Sequence, residues 1–282
     1  MDRRAFLRTL GASALAAVCL PGPACRQRRP AGERIERVGL QLYTVRGELA
    51  EDFEGTLERV AHIGYSEVEF AGYFGRNPGA VRGALERTGL RAPAALTSVQ
   101  LLEQDWPRAL DAARSIGHRY LVVAGIPAEE RRTLDDYHRL AELFNRAGEQ
   151  AGAAGIRFAY HNHDFEFVLL EGSTPYDVLL AETDAEHVLL ELDLYWITKG
   201  GHDPLAYFES YPGRFHLVHV KDSAGPPDHA MVDVGSGVID FKSIFGWREQ
   251  AGIRHFFVEH DQPPDAFTSI QASYEYLRRL EF

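Results

Sequence analysis

The residues most able to do chemistry in this sequence lie near the carboxyl ends of four successive apolar runs. They are imidazoles, carboxylates and one ammonium: His161, His163, Asp193, His219, Lys221, Glu259 and Asp261. Buried groups of these types are costly unless they are paired or bind a metal. One such residue is ordinary core structure, but a set that recurs on four successive runs indicates a functional site.

The donor types in this set indicate a cation site without thiolates. Imidazole and carboxylate ligands suit Mn, Zn, Fe or Co, and they suit Mg less well. Both cysteines, Cys19 and Cys25, precede residue 35, so the rest of the chain has no internal disulfide and no cysteine metal site. The sequence therefore predicts one divalent metal ion as cofactor, with Mn the leading candidate.

Eight apolar runs are predicted to be the buried parallel strands that position these groups. They are Arg37–Val45, Tyr65–Tyr73, Leu90–Ser98, Arg119–Gly125, Ile156–His163, His187–Trp196, Arg214–Asp222 and Ile253–Asp261. The chemical groups fall near the carboxyl ends of the last four runs. Because a closed barrel gathers those ends around one centre, we expect the groups to converge there.

Helix-like segments alternate with the runs and complete the pattern. The clearest are Asp52–His62, Pro78–Thr88, Trp106–Ile116 and Leu134–Ala153. Several end at a glycine, such as Gly89 and Gly117, before the next strand begins. The alternation predicts an α/β protein with a single (β/α)₈ TIM barrel over residues 35–282. A doubly wound sheet is the alternative, but no glycine-rich phosphate loop follows the first run.

Composition and charge bound the class of protein and its partners. Hydrophobic residues make up 45% and charged residues 25% of the chain, as in ordinary globular proteins. The formal net charge of -11 gives no reason to expect nucleic acid or an anionic membrane as a partner. A small anionic substrate held by local lysine or arginine stays open.

Residues 1–34 are predicted to be a twin-arginine signal peptide followed by a linker. Arg3 and Arg4 precede a Phe-Leu pair and a short alanine-rich apolar run. That run is too short to cross a bilayer, so no membrane span is expected. The pattern predicts export to the periplasm by the twin-arginine route. Cleavage could follow Ala24; the alternative is a lipid anchor at Cys25 that tethers the protein to a membrane.

Four segments together resemble the xylose-isomerase-like barrel superfamily. They are YHNHDFEF (160–167), LELDLYW (190–196), HLVHVKD (216–222) and FVEHD (257–261). The superfamily includes sugar isomerases, ketose 3-epimerases, inosose dehydratases and a class of endonuclease. The opening VGLQLYTVR is similar to exported sugar phosphate isomerase/epimerases. The resemblance, which extends from Ile35 to Phe282, implies an enzyme of carbohydrate metabolism with a sugar or polyol substrate.

The resemblance also implies four metal ligands, Glu, Asp, His and Glu, from strands five to eight. Asp193, His219 and Glu259 match the last three. The first falls at His161, where many relatives have glutamate, so this chain departs from the pattern. Imidazole is a good metal ligand; His163 is the alternative source of the fourth bond.

The chemistry implied by the resemblance is proton abstraction next to a carbonyl, with an enediolate intermediate. The candidate acid and base groups are Glu259, His163 and Lys221. Lys221 follows His219 by two residues and therefore faces the same side of its strand. A nearby metal could lower the pKa of Lys221, or the ammonium could hold a substrate oxygen as a cation.

Two reactions diverge from the same intermediate. Return of the proton gives isomerisation or epimerisation, which is the predicted function. Loss of a β-substituent gives a lyase, either an inosose dehydratase or an enzyme that releases the aglycone of a 3-keto-glycoside. His161 puts a symmetric two-glutamate epimerisation in doubt and favours the lyase as the alternative. A non-catalytic exported sugar-binding barrel is a third interpretation.

Substrate contacts are predicted from residue types near the strand ends. Tyr43 and Trp196 offer rings on which sugar faces stack, and Trp196 stands where epimerases have a histidine. Gln41, Glu69 and Lys221 offer polar contacts. Glu69 is alternatively a buried partner for an arginine. Related barrels often pair, so a homo-oligomer stays open.

Overall fold

All eight predicted runs form strands, and these strands close into one parallel barrel. The computed structural model describes residues 32–282, and the export and Cys25 predictions fall outside this range. Within it the strands are β1 Gly39–Gln41, β2 Glu67–Phe70, β3 Arg91–Thr97, β4 Tyr120–Val123, β5 Arg157–His161, β6 Val188–Asp193, β7 Phe215–Val220, β8 Asp222–Ser223, β9 Met231–Val232 and β10 His255–Val258. The barrel order is β1-β10-β7-β6-β5-β4-β3-β2, while β8 and β9 pair separately and antiparallel. The predicted (β/α)₈ barrel is confirmed.

Helices connect successive barrel strands. In residues 32–282 the α-helices are α1 Arg46–Glu51, α2 Phe53–Ile63, α3 Pro78–Thr88, α4 Val99–Gln104, α5 Trp106–Ile116, α6 Leu134–Ala153, α7 Pro175–Glu182, α8 Leu194–Lys199, α9 Pro204–Ser210, α10 Phe241–Phe245, α11 Arg248–Ala251 and α12 Ala266–Arg279. Three 3₁₀ helices cover Leu42–Val45, Ala128–Glu130 and Phe165–Phe167. The four predicted helical segments agree with α2, α3, α5 and α6 to within one residue at each end. None of the described helices is long and apolar enough to cross a membrane.

Local sequence signals explain where these helices begin and end. The Asn77 side chain accepts a hydrogen bond from the Ala80 amide, and Pro78 is the first residue of α3, where a missing N–H costs nothing. Gly89 ends that helix with a φ of 72°, a left-handed conformation that glycine adopts without steric penalty. Such caps place each helix so that its following strand enters the barrel at a defined point.

Side chains that alternate along the strands fill the barrel interior. The interior cluster comprises Ala94, Tyr120, Val122, Ala159, Leu189, Leu217 and Phe257, with Leu96 packed against it. A larger apolar cluster lies between the strands and the helices. Because this apolar interior fills the middle of the barrel, the polar side chains of the strands collect at its two ends.

All eight barrel strands are shorter in the structure than the predicted runs, and for two of them side-chain capping explains the end. The first strand ends at Gln41, because its side-chain oxygen accepts from the Tyr43 amide and starts a 3₁₀ turn. The sixth ends at Asp193, whose Oδ1 accepts from the amides of Tyr195 and Trp196. Trp196 therefore lies in α8 rather than in a strand. Side-chain capping, which apolar periodicity does not register, ends both strands.

Candidate active site

The predicted metal ligands lie side by side at the carboxyl ends of β5, β6, β7 and β10. Asp193 is the register partner of His219 across β6 and β7, and His219 is the partner of Phe257 across β7 and β10. Glu259 follows Phe257 by two residues, so it continues the same inward face. His161, Asp193 and His219 are each at most 3% exposed. The barrel therefore brings these groups together, as the sequence predicts.

His219 is the centre of this arrangement, and its two ring nitrogens have different surroundings. Nε2 lies 2.6 Å from Glu69 Oε2 and 3.2 Å from Glu191 Oε2. Nδ1 lies 2.8 Å from Glu259 Oε2 and 3.9 Å from Asp193 Oδ2. A metal-binding histidine commonly donates its other ring N–H to a carboxylate, which fixes the tautomer. Glu69 is placed to accept that bond, which leaves Nδ1 directed at Asp193 and Glu259.

His161 approaches the same centre from β5. Its Nε2 lies 3.8 Å from Asp193 Oδ2, and its ring centroid is 4.4 Å from that of His219. One ligand atom each from His161, Asp193 and His219 lie within 4.8 Å of one another. His163 stands one layer further out, with its ring 5.0 Å from His161. Of the two predicted sources of the fourth bond, the geometry therefore supports His161.

Buried carboxylates outnumber the cations at this centre. Asp193 Oδ2 and Glu259 Oε2 lie 3.0 Å and 2.9 Å from the same ammonium, Lys221 Nζ, and Glu259 Oε2 also lies 2.8 Å from His219 Nδ1. Buried negative charge in excess of positive charge costs free energy unless a further cation binds. A divalent cation accepts electron pairs from oxygen and nitrogen, so this donor set fits the predicted metal.

Lys221 is the cation that the chain itself supplies to this centre. Its Nζ lies 3.0 Å from Asp193 Oδ2, 2.9 Å from Glu259 Oε2 and 2.9 Å from Asp261 Oδ1. Burial works to lower the pKa of Lys221, but the three carboxylates raise it well above its ordinary value. Of the two roles predicted for Lys221, the structure supports the cation rather than an amine with a lowered pKa.

The carboxylates at the centre differ in pKa because their neighbours differ. Burial raises the pKa of Asp193 to about 6 against the opposing effects of Lys221 and His219. Burial and then the nearby Glu69 raise the pKa of Glu191 to about 8. Burial also works to raise the pKa of Glu259, but Lys221 and His219 lower it to about 2. Glu259 is therefore an ionised carboxylate at neutral pH.

The two histidines on the β5 side are held neutral. Burial, and then the charge of Lys221, lower the pKa of His163 to about 4. Burial and the neighbouring His219 lower the pKa of His161 well below its ordinary value. Neutral imidazoles have a free electron pair, which suits a metal ligand or a proton acceptor.

Hydrogen bonds to the loop after β5 fix its functional side chains. Asn162 Oδ1 accepts from the Asp193 amide at 3.0 Å, which ties β5 to β6. Glu166 Oε2 accepts from the His163 amide at 2.8 Å, and the Tyr160 hydroxyl donates to Glu166 Oε1. Burial raises the pKa of Glu166 to about 7. The orientation of His163 thus depends on Glu166, which has no solvent exposure.

The residues predicted to contact substrate differ in their solvent exposure. Gln41 and Glu69 are fully buried, and Gln41 Nε2 donates to Glu69 Oε2 at 2.6 Å. Glu69 therefore supports His219 instead of an arginine. Tyr43 is 41% exposed, and Trp196 lies beside His163 with a ring separation of 5.5 Å. Direct substrate contact by these residues stays a prediction.

Sequence reasoning missed Glu191, Asn162 and Glu166. Glu191 is fully buried beside His219, and it precedes Asp193 by two residues in an otherwise apolar strand. That spacing, with the period of two that strands follow, was a usable signal. The roles of Asn162 and Glu166 depend on loop geometry, for which the sequence has no comparable signal.

Known proteins with similar sequence and structure include two kinds of sugar enzyme. An inosose dehydratase from Lacticaseibacillus casei is 24% identical over 249 residues, covering 75% of this chain and 83% of the dehydratase. The crystal structure of a sugar phosphate isomerase/epimerase from Parabacteroides distasonis ATCC 8503 is 28% identical with a TM-score of 0.76. That comparison covers 86% of this chain and 93% of the other.

A second solved structure and a family model also match this chain. A crystal structure of IOLI protein with a binding zinc atom is 14% identical with a TM-score of 0.68, over 85% of this chain and 95% of that one. At that level of identity, the similarity shows a shared fold only. The model of the xylose isomerase-like TIM barrel family matches residues 57–280. The match extends over most of the chain, and the protein belongs to the xylose isomerase-like TIM barrel family.

Proposed function

We propose that this protein is a metal-dependent lyase of a sugar-like polyol, which abstracts a proton next to a carbonyl and expels a β-substituent. The observation that carries the proposal is the imidazole of His161 at the centre, 3.8 Å from Asp193 Oδ2, where a symmetric epimerisation would need a second glutamate. Glu259 is an ionised carboxylate and His163 a neutral imidazole, whereas Lys221 carries protons. An elimination needs a proton acceptor and a separate donor, and these residues provide both.

The metal ligands in this proposal are Asp193, His219 and Glu259, with His161 as the fourth. The convergence of buried donor atoms from His161, Asp193 and His219 and the zinc in the IOLI structure support a divalent ion, and Mn is the proposed metal. When bound, the ion would polarise the substrate carbonyl and stabilise the negative charge that develops on its oxygen.

The protein side chains carry out the proton transfers. Glu259 takes the proton from the carbon next to the carbonyl, and His163 is the second acceptor within the same centre. Lys221 is protonated and held by three carboxylates, so it can orient the departing oxygen and donate to it. The carbon–oxygen bond breaks as the carbon–carbon double bond forms, and the hydroxyl leaves as water or, from a glycoside, as the aglycone alcohol.

The relatives support both the lyase and a second candidate, an isomerase or epimerase. The inosose dehydratase relative favours elimination. The 28% likeness to a sugar phosphate isomerase/epimerase favours return of the proton to carbon. His161 replaces one of the two glutamates on which a symmetric epimerisation depends, and for that reason we rank the lyase first.

A product analysis tests the proposal. The purified protein, loaded with Mn, is incubated in deuterated water with an inosose, a 3-keto-glucoside and a free ketose in separate reactions. The lyase gives an unsaturated ketone that absorbs in the ultraviolet. Deuterium incorporation into an isomer or epimer without any unsaturated product would contradict the lyase and support the second candidate. A metal-free protein that binds sugar without turnover would support the sugar-binding interpretation.

We also propose that the chain is exported by the twin-arginine route. The support is the Arg3-Arg4 pair before a short apolar run. Replacing both arginines by lysine keeps the charge and should retain the protein in the cytoplasm, as cell fractionation would measure. Unchanged export of that variant would contradict the route. Labelling with a radioactive fatty acid would separate cleavage after Ala24 from a lipid anchor at Cys25.

A further inference from the structure

Glu191 is a buried carboxylate at the centre of the barrel to which the proposed lyase chemistry gives no part. It has no solvent exposure. Leu189, two residues earlier on β6, and Leu217, its register partner on β7, belong to the apolar interior of the barrel. A carboxylate placed against such a layer costs free energy unless other groups compensate for its burial. The polar neighbours of Glu191 therefore indicate its role.

Two imidazoles share one oxygen of Glu191. Glu191 Oε2 lies 3.2 Å from His219 Nε2 and 3.6 Å from His161 Nδ1. His161 is the register partner of Glu191 across β5 and β6, so the backbone places the two side chains on the same face of the sheet. The carboxylate thus lies between the two histidines that are proposed metal ligands.

Each of these two rings has its other nitrogen near Asp193. His161 Nε2 lies 3.8 Å and His219 Nδ1 lies 3.9 Å from Asp193 Oδ2. Both rings therefore have one nitrogen on the side of the proposed metal and the opposite nitrogen on the side of Glu191. A metal-binding histidine needs this arrangement, because the nitrogen that binds must lack a proton while the other nitrogen donates one to a hydrogen-bond acceptor.

His161 depends on Glu191 more than His219 does. Among residues 32–282, Nδ1 of His161 makes no hydrogen bond, and Glu191 Oε2 is the one carboxylate oxygen within 4.0 Å of it. Nε2 of His219 also lies 2.6 Å from Glu69 Oε2. The 3.6 Å contact of His161 is longer than an ordinary hydrogen bond, and the hydrogen bonds of a site are often long before its ligand is bound. Loss of Glu191 would leave His219 one carboxylate acceptor and His161 none.

A second cation site is the competing interpretation of this carboxylate. One ligand atom each from Glu69, Glu191 and His219 lie within 4.8 Å of one another. Glu69 Oε2, however, accepts from Gln41 Nε2 at 2.6 Å and lies 2.6 Å from His219 Nε2. These are hydrogen-bond distances, and an imidazole nitrogen that carries a proton has no electron pair for a metal. The contacts therefore favour a hydrogen-bonded support over a second cation site.

We propose that Glu191 is a positioning residue that accepts the Nδ1–H of His161 and shares the Nε2–H of His219, and thereby presents the opposite nitrogen of each ring to one divalent ion. This inference rests on the proposed metal-dependent function. It adds an explanation of how an imidazole at residue 161 serves as a ligand, because the negative charge lies behind the ring, on Glu191. A carboxylate in that position also makes the facing nitrogen a stronger electron donor.

The position of the His161 proton tests the proposal without metal. Burial and the neighbouring His219 lower the pKa of His161 well below its ordinary value, so the ring is neutral and has one N–H. Nuclear magnetic resonance of the EDTA-treated wild type, labelled with nitrogen-15 histidine, shows which nitrogen carries that proton. The spectrum is recorded above pH 8, because burial and Glu69 raise the pKa of Glu191 to about 8. We expect the proton on Nδ1; a proton on Nε2 would overturn the proposal. The test uses the wild type, so it stands even if no Glu191 variant folds.

Mn binding, measured by calorimetry above pH 8 under argon, gives the second readout. Glu191→Gln keeps the size of the side chain and removes its charge. It should weaken Mn binding by about 10- to 100-fold, as expected when a metal-bound histidine loses its carboxylate partner. The matched control is Glu186→Gln, which removes the same charge from an exposed residue before the same strand and should leave Mn affinity unchanged. Equal affinities of Glu191→Gln and the control would contradict the proposal.

A double-mutant cycle separates positioning of His161 from a general effect of the lost charge. In a His161→Gln background, Glu191→Gln should weaken Mn binding much less than it does in the wild type. Glu69→Gln, whose partner is His219, should have the same effect in both backgrounds. An equal loss from Glu191→Gln in both backgrounds would overturn its role at His161. A wild type that binds no Mn would contradict the proposed metal-dependent function, and the His161 tautomer would then decide the role of Glu191 alone.

Discussion

The two ends of the barrel treat buried charge in opposite ways. At the carboxyl ends of the strands, three carboxylates surround the one ammonium of Lys221. At the amino ends, arginines surround the single carboxylate of Glu67. The carboxyl end holds more negative charge than Lys221 neutralises, whereas Glu67 at the amino end is neutralised by Arg91, Arg37 and His255. A cation therefore fits the carboxyl end.

Strand β2 shows this contrast within three residues. Glu67 and Glu69 face inward from the same strand, and both are nearly or fully buried. Glu67 contacts His255 and Arg91 at the amino end of the barrel, whereas Glu69 contacts Gln41 and His219 in the candidate active site. The same residue type on one strand therefore has two different surroundings, and variants of the two can be compared directly.

The largest effect is expected from Glu259→Gln, which removes a metal ligand and the proposed base. Loss of a positioned general base costs roughly 10²- to 10⁴-fold in rate. Steady-state kinetics on the substrate that gives turnover would measure it. The matched control is Glu249→Gln, since Glu249 is 82% exposed and should leave the rate unchanged. A rate within threefold of wild type for Glu259→Gln would remove Glu259 from the mechanism.

The Glu166→Gln variant tests, through the pH dependence of stability, the buried carboxyl group that holds the loop after β5. Its pKa is raised from 4.5 to about 7 by burial, so the folded state holds this proton more tightly than the unfolded state. The stabilisation is complete at acid pH and is lost as pH rises from about 4.5 to 7. The shift corresponds to a loss on the order of 3 kcal/mol. Urea unfolding at several pH values should show that the variant lacks this slope; an unchanged slope would contradict the assignment.

Glu69→Gln and Glu67→Gln together test whether the two ends are independent. Glu69 fixes the ring of His219, so its loss should weaken Mn binding by about 10- to 100-fold. Glu67→Gln is the matched control on the same strand, and it should leave Mn affinity unchanged. Calorimetric titration with Mn measures the affinity of both variants. Equal effects of the two variants on Mn binding would contradict the separation of the sites.

The smallest effect on binding is expected from Lys221→Met. The ammonium lies within 3.0 Å of two proposed metal ligands, Asp193 and Glu259, and like charges repel. Removing it should therefore tighten Mn binding severalfold while turnover falls. A Lys199→Met control removes a lysine that pairs with Asp164 instead. Weaker Mn binding by Lys221→Met would show that the ammonium organises the ligands rather than competing for them.

The fold could be predicted because each element carries its own signal. The eight apolar runs and the glycines after helices specify the alternation, and parallel strands then bring the carboxyl ends of β5, β6, β7 and β10 together. Residue types at those ends predicted Asp193, His219 and Glu259 for the same reason. Strand ends were less predictable, because the Gln41 and Asp193 side chains cap backbone amides.

The rest of the site depends on contacts that no local pattern specifies. Lys221 is a cation because three carboxylates from two different segments of the chain meet it. Glu191 supports His219 from the neighbouring strand, and Glu166 orients His163 through a loop. The contacts of His255 with Glu67 and of Tyr120 with His216 at the amino end of the barrel likewise depend on barrel closure and on the β-bulge at His216.

The most direct test of the central claim is a crystal structure of the Mn-soaked protein, with anomalous scattering recorded at the Mn edge. The claim is that His161, Asp193, His219 and Glu259 hold one divalent ion. We predict a single strong anomalous peak bounded by these four side chains, with Lys221 Nζ displaced from at least one carboxylate. No peak at this position, or a peak bound by other residues, would contradict the account.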